Sequence, residues 1–330
     1  MAISTEKKER IARDVIQEIY RHYQISANVM VNNPFARAFA SINERAINQQ
    51  DNARQNCAYN LMHGLNTSLG QSFFEGVAHI LCDGEKRDFK SNEIYINQMS
   101  AISDIMIDLK NGTETPSVNR EDEIIANQAT GDKQTASNFT ADCFYETENE
   151  VVALELKSVR PNSGEMRGEK QKVLIGKAVL RELYPNKNVR YIFGFPFDPT
   201  SDSDVGYDKQ RFLHYLVEAE KFIAHEDFLI ADELWSFLAS SNNAMQEILE
   251  IINRIATPRF MDKFDALQDN RTPREEKRRI LEEWYLCSEV RILDNVRPNA
   301  SNLRIYNQSI FKNDGSYNTN RLTLLNLQPQ

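Results

Sequence analysis

No apolar run in this chain of 330 residues approaches the roughly 20 needed to span a bilayer. The N-terminal stretch MAISTEKKERIARDVI carries charges where a signal peptide would be apolar, so a cytoplasmic protein without a membrane partner is expected. Cysteine is scarce. Cys57, Cys82, Cys143 and Cys287 are widely scattered and form no CxxC pair, which excludes a disulfide scaffold and argues against a zinc cluster. The signatures GxGxxG, P-loop, HExxH and GxSxG are absent, and the five histidines are isolated, with His63 and His79 read as structural. Internal repeats and low-complexity linkers are missing too. What is present is ordinary globular composition, 41% hydrophobic and 26% charged, enough to exclude disorder. The net charge is −9, so an anionic partner must meet a locally basic groove.

The hydrophobic pattern changes along the chain. Ile11, Val15, Ile19 and Tyr23 recur every four residues, a helical stripe. Phe74, Val77, Ala78 and Leu81 share a face of a second, partly buried helix. In ADCFYETENEVVALELKSV two short apolar runs flank a polar stretch, which predicts a hairpin or two adjacent strands near Asp142–Tyr145 and Val151–Lys157. Pro161 to Gly164 reads as a turn. Glu165 to Leu183 reads as a helix with Val173, Gly176, Leu180 and Leu183 on one face, and Val189 to Phe195 as a strand. Strand, strand, helix, strand is an α/β core whose last connection suits a right-handed crossover. Beyond it the spacing of Phe212, Tyr215, Leu216, Ala219, Phe222 and Ile223 predicts helix, as does that of Ile248, Leu249, Ile252 and Ile255. Trp235 reads as a core anchor. Thr272-Pro273-Arg274-Glu275 reads as a capping box with proline at the first helical position. The polar tail after Arg297 suits short strands or an arm.

One constellation carries chemistry. Asp142 is followed, after twelve intervening residues, by Glu155-Leu156-Lys157. Phosphodiester cleavage with divalent cations needs carboxylates beside the scissile phosphate, and gains from a cation near the attacking water. Residues two apart in a strand face the same side, so Glu155 and Lys157 would sit together, with Leu156 in the core and Asp142 reaching in from the neighbouring strand. An acid-x-Lys triplet is common, however. The chain has four others, at Glu6–Lys8, Asp88–Lys90, Asp108–Lys110 and Glu275–Lys277. Asp108–Lys110 is the strongest decoy, since it ends the apolar run AISDIMIDLK. Only Glu155–Lys157 ends a strongly apolar strand and leads into a basic amphipathic helix and another strand. Spacing alone leaves a nuclease site and a surface ion pair both open.

Asp142…Glu155-Leu156-Lys157, continued by SVRPNSGEMRGEKQKVL, resembles the PD-(D/E)xK nuclease superfamily, and within it the Type II restriction endonucleases. The ELKSVRPN…GEKQK stretch is similar to the TdeIII-type group, whose members cut GGNCC-like sites. The resemblance is firm over Ala141–Phe195. It departs at Thr140-Ala141, where the superfamily's name has proline before the first acid.

The resemblance implies an α/β nuclease core, a mixed central sheet flanked by helices, with helical N- and C-terminal additions. It expects a single domain over 1–330, with a helical part over 1–85, the nuclease core over 86–200, and a helical part with a tail over 201–330. It implies that Asp142 and Glu155 ligate Mg²⁺ and that Lys157 serves the attacking water and the phosphate. Glu75, in GQSFFEGVA, is the candidate for an added acid from a preceding helix. On the helix after Lys157, Arg167, Lys170, Gln171 and Lys172 are candidate contacts to DNA. In NERAINQQDNARQN, Arg45, Asn48, Gln49 and Arg54 are candidate base readers. The expected function is Mg²⁺-dependent cleavage of double-stranded DNA at a short, palindromic site by a homodimer. A repair or resolvase-like nuclease of the same core, or a catalytically inactive DNA-binding protein, are the alternatives.

Overall fold

The computed structural model describes residues 2–22, 72–157, 163–216 and 218–326. Tyr23, Cys57, His63, Pro161 and the candidate base readers Arg45, Asn48, Gln49 and Arg54 lie outside the described residues. The chain divides into two compact units, 1–73 with 244–330, and 74–243.

In the first unit, helix α1 (Thr5–His22) fully buries Ile11, Val15 and Ile19, the stripe that its spacing predicts.

The second unit holds the expected nuclease region. Helix α2 (Ser72–Cys82) leads into strands β1 (Glu85–Phe89) and β2 (Glu93–Tyr95), followed by helices α3 (Ile96–Asn111) and α4 (Val118–Asn127). Strand β3 (Lys133–Thr135) precedes the hairpin β4 (Phe139–Glu146) and β5 (Glu150–Leu156). Helix α5 (Ser163–Leu183), strand β6 (Asn188–Phe195), helix α6 (Lys209–Tyr215), strand β7 (Phe228–Ile230) and helix α7 (Asp232–Ala239) complete it. Five strands form one sheet in the order β1-β4-β5-β6-β7. The β1–β4 and β4–β5 pairs are antiparallel, and β5–β6 and β6–β7 are parallel. This is the mixed sheet flanked by helices expected of the core. Strands β2 and β3 pair separately.

The centre of the sheet explains itself. Residues Val151 to Leu156 of β5 are all buried, as an almost uninterrupted apolar strand covered on both faces must be. Glu155 is the exception that needs a chemical reason. The parallel β5–β6 pair requires a crossover, and α5 supplies it. At Gly176 this helix lies so close to the sheet that a Cβ would fall 2.4 Å from the Tyr191 ring on β6 and 3.3 Å from Phe139 on β4. Trp235 is fully buried and its indole N–H donates to the Pro196 carbonyl at 2.8 Å.

Several expectations need correction. The helix after Lys157 already includes Ser163 and Gly164, and Leu183 at its end is 47% exposed rather than on the buried face. The Phe212–Ile223 run is not one helix. It is α6 followed by a single 3₁₀ turn at Ala219–Lys221, separated by Glu218 with a φ of 57°. Its apolar residues are nonetheless buried, except Tyr215, which is 36% exposed. The apolar spacing reported which residues face inward, and the left-handed Glu218 broke the backbone between them. Strand β7, only three residues, was too short to show a pattern.

The first unit resumes with α8 (Ala244–Ile255), α9 (Phe260–Gln268), α10 (Arg274–Glu283), α11 (Cys287–Asn295) and α12 (Leu303–Tyr306). Ile248, Leu249, Ile252 and Ile255 of α8 are buried as expected. The capping box is absent: Pro273 itself occupies the N-cap and no side chain caps α10. In the tail, a bridge joins Phe311 to Tyr317, and Arg321 donates to both oxygens of the buried Glu289 carboxylate.

Candidate active site

The hairpin sets the two acids face to face. Its register pairs Cys143 with Leu154, so one step further places Asp142 opposite Glu155. The Leu156 N–H donates to Asp142 Oδ2 at 3.0 Å. The Glu155 side chain is only 3% exposed, and both of its oxygens face cations. Lys157 Nζ lies 2.8 Å from Glu155 Oε1 and 2.8 Å from Glu169 Oε1. Lys172 Nζ lies 2.6 Å from Glu155 Oε2. The Tyr191 hydroxyl donates to the same oxygen at 3.3 Å.

A second group of residues approaches from α2 and β1. Lys86 Nζ is 3.0 Å from Glu75 Oε2 and 3.5 Å from Asp142 Oδ1. One ammonium thus links the helix acid to the strand acid. His79 Nε2 lies 2.7 Å from the Asp142 carbonyl oxygen. Next to it, the Cys82 and Cys143 sulfurs are 3.4 Å apart. Their hydrogen bond, with burial, pushes the Cys143 thiol far up, so it is a neutral packing group rather than a nucleophile.

The electrostatics follow from this crowding. Burial pushes the Glu155 carboxyl up, and the Asp142 carboxylate adds to it, while Lys157 and Lys172 pull the other way. Burial alone would lower Lys157, but Glu155 and Glu169 outweigh it, so its ammonium is held more firmly than usual. Burial, then the neighbouring Glu155 and Asp142, drives Tyr191 well above the ordinary phenol range. It therefore serves as a hydrogen-bond donor.

Among the described residues, no three His, Cys, Asp or Glu side chains are grouped so as to hold a metal ion by themselves. A hard cation such as Mg²⁺ keeps several waters and is bound by one or two carboxylates together with substrate phosphates. Two opposed oxygen donors, one of them destabilised by the other's charge, form a donor set that a hard divalent cation fits. Asp142 and Glu155 could hold it, with Glu75 close to Asp142.

The competing triplets lie elsewhere. Asp108 and Lys110 are on helix α3, and Asp108 accepts from Thr113. Asp88 and Lys90 form a surface pair, 51% and 66% exposed. Glu155–Lys157 is the buried one, with side chains 3% and 12% exposed.

Of the helix residues expected on DNA, Arg167 is exposed and Gln171 half-buried. Lys170 needs correction. Its side chain is 0% exposed and its ammonium sits 2.7 Å from both Glu121 and Asp227, so it cannot reach a phosphate. Lys172 is half-buried and turned to Glu155. The spacing argument missed Glu169, Tyr191 and Lys86 as neighbours of the acids. Glu169 and Lys172 carried a usable signal: three apart on a helix, they share a face. Tyr191 and Lys86 carried none.

A model of the HinfI family, Type II restriction endonucleases, matches residues 7–256, which include all of these side chains. The chain belongs to this family of site-specific deoxyribonucleases, and DNA is its substrate. The Type II restriction enzyme MjaII of Methanocaldococcus jannaschii is 43% identical over 288 residues, covering 78% of this chain and 78% of its own. The matching family is thus named for HinfI rather than for TdeIII. No solved structure matches the chain. Among the described residues no helix is long and apolar enough to cross a membrane.

Proposed function

We propose that Asp142, Glu155 and Lys157 form the centre at which this endonuclease hydrolyses the DNA backbone, using Mg²⁺ held by Asp142 and Glu155 with Glu75 as an added acid. The observation that carries the reading is Glu155 itself, a buried carboxylate opposite Asp142 with a lysine on each oxygen. Bound there, Mg²⁺ supplies charge stabilisation at the phosphoryl oxygens and a more acidic water. The chain's own residues do the rest. Lys157, fixed by two carboxylates, steadies negative charge as it builds on the phosphate. Tyr191 fixes the Glu155 carboxylate through its hydroxyl. Arg167 and Gln171, on the same helix, contact the DNA backbone. Arg45, Asn48, Gln49 and Arg54 read bases.

The site cut is short and palindromic, GGNCC-like by the likeness of the Glu155–Lys172 stretch to TdeIII-type enzymes. A palindrome presents the same chemistry twice about a two-fold axis. A cytoplasmic homodimer, each chain cutting one strand, meets it economically. Digestion of phage DNA with and without Mg²⁺ tests the reading, and a discrete, Mg²⁺-dependent ladder is expected. Asp142→Asn and Glu155→Gln should abolish the ladder while leaving the fold. Substantial cutting by either variant would place the chemistry elsewhere.

A further inference from the structure

Glu155, Lys157, Glu169 and Lys172 form a ring of alternating charge that is closed on three sides. Lys157 spans both acids at 2.8 Å, and Lys172 is 2.6 Å from Glu155 Oε2. The fourth side is open: Lys172 Nζ is 3.6 Å from Glu169 Oε2, beyond hydrogen-bond range. That oxygen is buried and has no hydrogen-bond partner among the described residues. A buried acceptor left without a donor is unfavourable and calls for an explanation.

Metal binding supplies one. A divalent cation on Glu155 competes for the same lone pairs that the two ammonium groups use, and repels both groups. Lys157 would keep its second partner, Glu169 Oε1. Lys172 would lose its close contact, yet an acceptor without a hydrogen-bond partner lies only 3.6 Å away on its own helix. We infer that Glu169 is a positioning residue that takes Lys172 over from Glu155 when Glu155 turns to its metal, so that both lysines stay at the scissile phosphate. The inference rests on Glu155 being a metal ligand. It adds two things to that assignment: a carboxylate that never touches the metal, and a second lysine beside the phosphate. The carboxylate's negative charge also offsets the crowding of two ammonium groups around a divalent ion.

The test uses the full chain and a supercoiled plasmid that the parent protein cuts. Glu169→Gln keeps the shape and removes the charge. Its kcat should fall roughly tenfold to a hundredfold, the usual effect of losing a partner that orients a metal-site residue. KM for DNA should stay within about twofold, because the loss falls on the transition state. Mg²⁺ binding to the DNA-free protein, followed by titration calorimetry, should weaken. Glu169→Asp restores the charge with a shorter reach, so it should recover the Mg²⁺ affinity and only part of kcat. Lys172→Met should lower kcat to a similar degree, and the double variant should lose little more, since the two residues act as a unit.

An unchanged kcat in Glu169→Gln, losses that simply multiply in the double variant, or a rise in KM matching the loss of rate would each overturn the hand-over. If Glu169→Gln fails to fold, Lys172→Met alone decides: an unchanged kcat overturns the proposal, and a loss at constant KM supports it. Glu155→Gln separates the two levels of the argument. Cutting by that variant removes the site assignment. An inactive Glu155→Gln beside an unaffected Glu169→Gln removes the hand-over alone.

Discussion

Helix α5 carries two lysines, two residues apart, in two different ionic clusters. Lys170 sits between Glu121 of α4 and Asp227, just before β7, and all three side chains are fully buried. Lys172 sits against Glu155 at 26% exposure, with Glu169 three residues behind it. Burial alone would lower Lys170, but Asp227 and Glu121 raise it, so it is a permanent cation with fixed partners. Each cluster has a buried oxygen without a hydrogen-bond partner. Beside Lys170 it is Asp227 Oδ1, on a carboxylate that already holds that lysine. Beside Lys172 it is Glu169 Oε2, on a carboxylate held by Lys157, in a cluster with partial access to solvent. The difference teaches where charge is structural and where it is available for chemistry. A lysine locked between two buried acids joins elements, and one with an alternative partner can move.

Four changes would break or sharpen that contrast. The largest effect belongs to Glu155→Gln, which should eliminate detectable cleavage in a plasmid assay while its thermal melt stays cooperative. Next comes Lys170→Met. Two buried carboxylates lose their cation, a change that costs about 3–5 kcal/mol. Denaturant titration should show that loss, while the folded fraction still cuts at the parent rate. A stable Lys170→Met that no longer cuts would reverse the roles of the two lysines. Lys157→Ala should slow cleavage about a hundredfold, equivalent to about 3 kcal/mol, with DNA retention in gel shifts unchanged. The smallest effect is electrostatic. Arg167→Ala should reduce the slope of log affinity against log salt by about 0.9, one phosphate contact, and Lys170→Met should leave that slope alone.

A pH profile sharpens the same contrast from the other side. The Glu155 carboxyl is raised above its ordinary 4.5, and the charged form is the one that can hold a cation. At limiting Mg²⁺, kcat/KM should therefore fall on acidification through a midpoint above 4.5. Stability runs oppositely. Between the ordinary and the raised value the folded chain keeps a proton that the unfolded chain has released. The Glu155 contribution to stability is therefore present below that window and lost as pH rises through it. Glu155→Gln should remove that slope from the pH dependence of unfolding.

The acids were legible because a carboxylate at the end of the run VVALEL has no reason to be there except chemistry or an ion pair. Asp142 followed from hairpin geometry alone. The lysines of α5 were not separable in the same way. Spacing shows that Lys170 and Lys177, two helical turns apart, share one face of the helix and that Lys172 lies on another. It does not show that Glu121 and Asp227 cover one angle, because those acids lie far away in sequence on either side. Lys177 is covered likewise, by Asp122 at 3.1 Å. The fold was readable where burial and backbone agree, as in α1 and β5. It was misread where buried residues continue across a left-handed break, as at Glu218.

Gly176 has no functional group and lies well along α5 from the acids, yet the site depends on what it lacks. The Tyr191 ring fills the space where any side chain at 176 would begin, 2.4 Å from an added Cβ, and the hydroxyl of that ring holds Glu155 Oε2. Even alanine would have to push the ring aside, and the phenol would move with it. A blind screen for clones that survive expression of the enzyme without protective methylation should therefore return changes at 176 alongside changes at the acids. Such clones would make folded protein that has lost its grip on one oxygen atom.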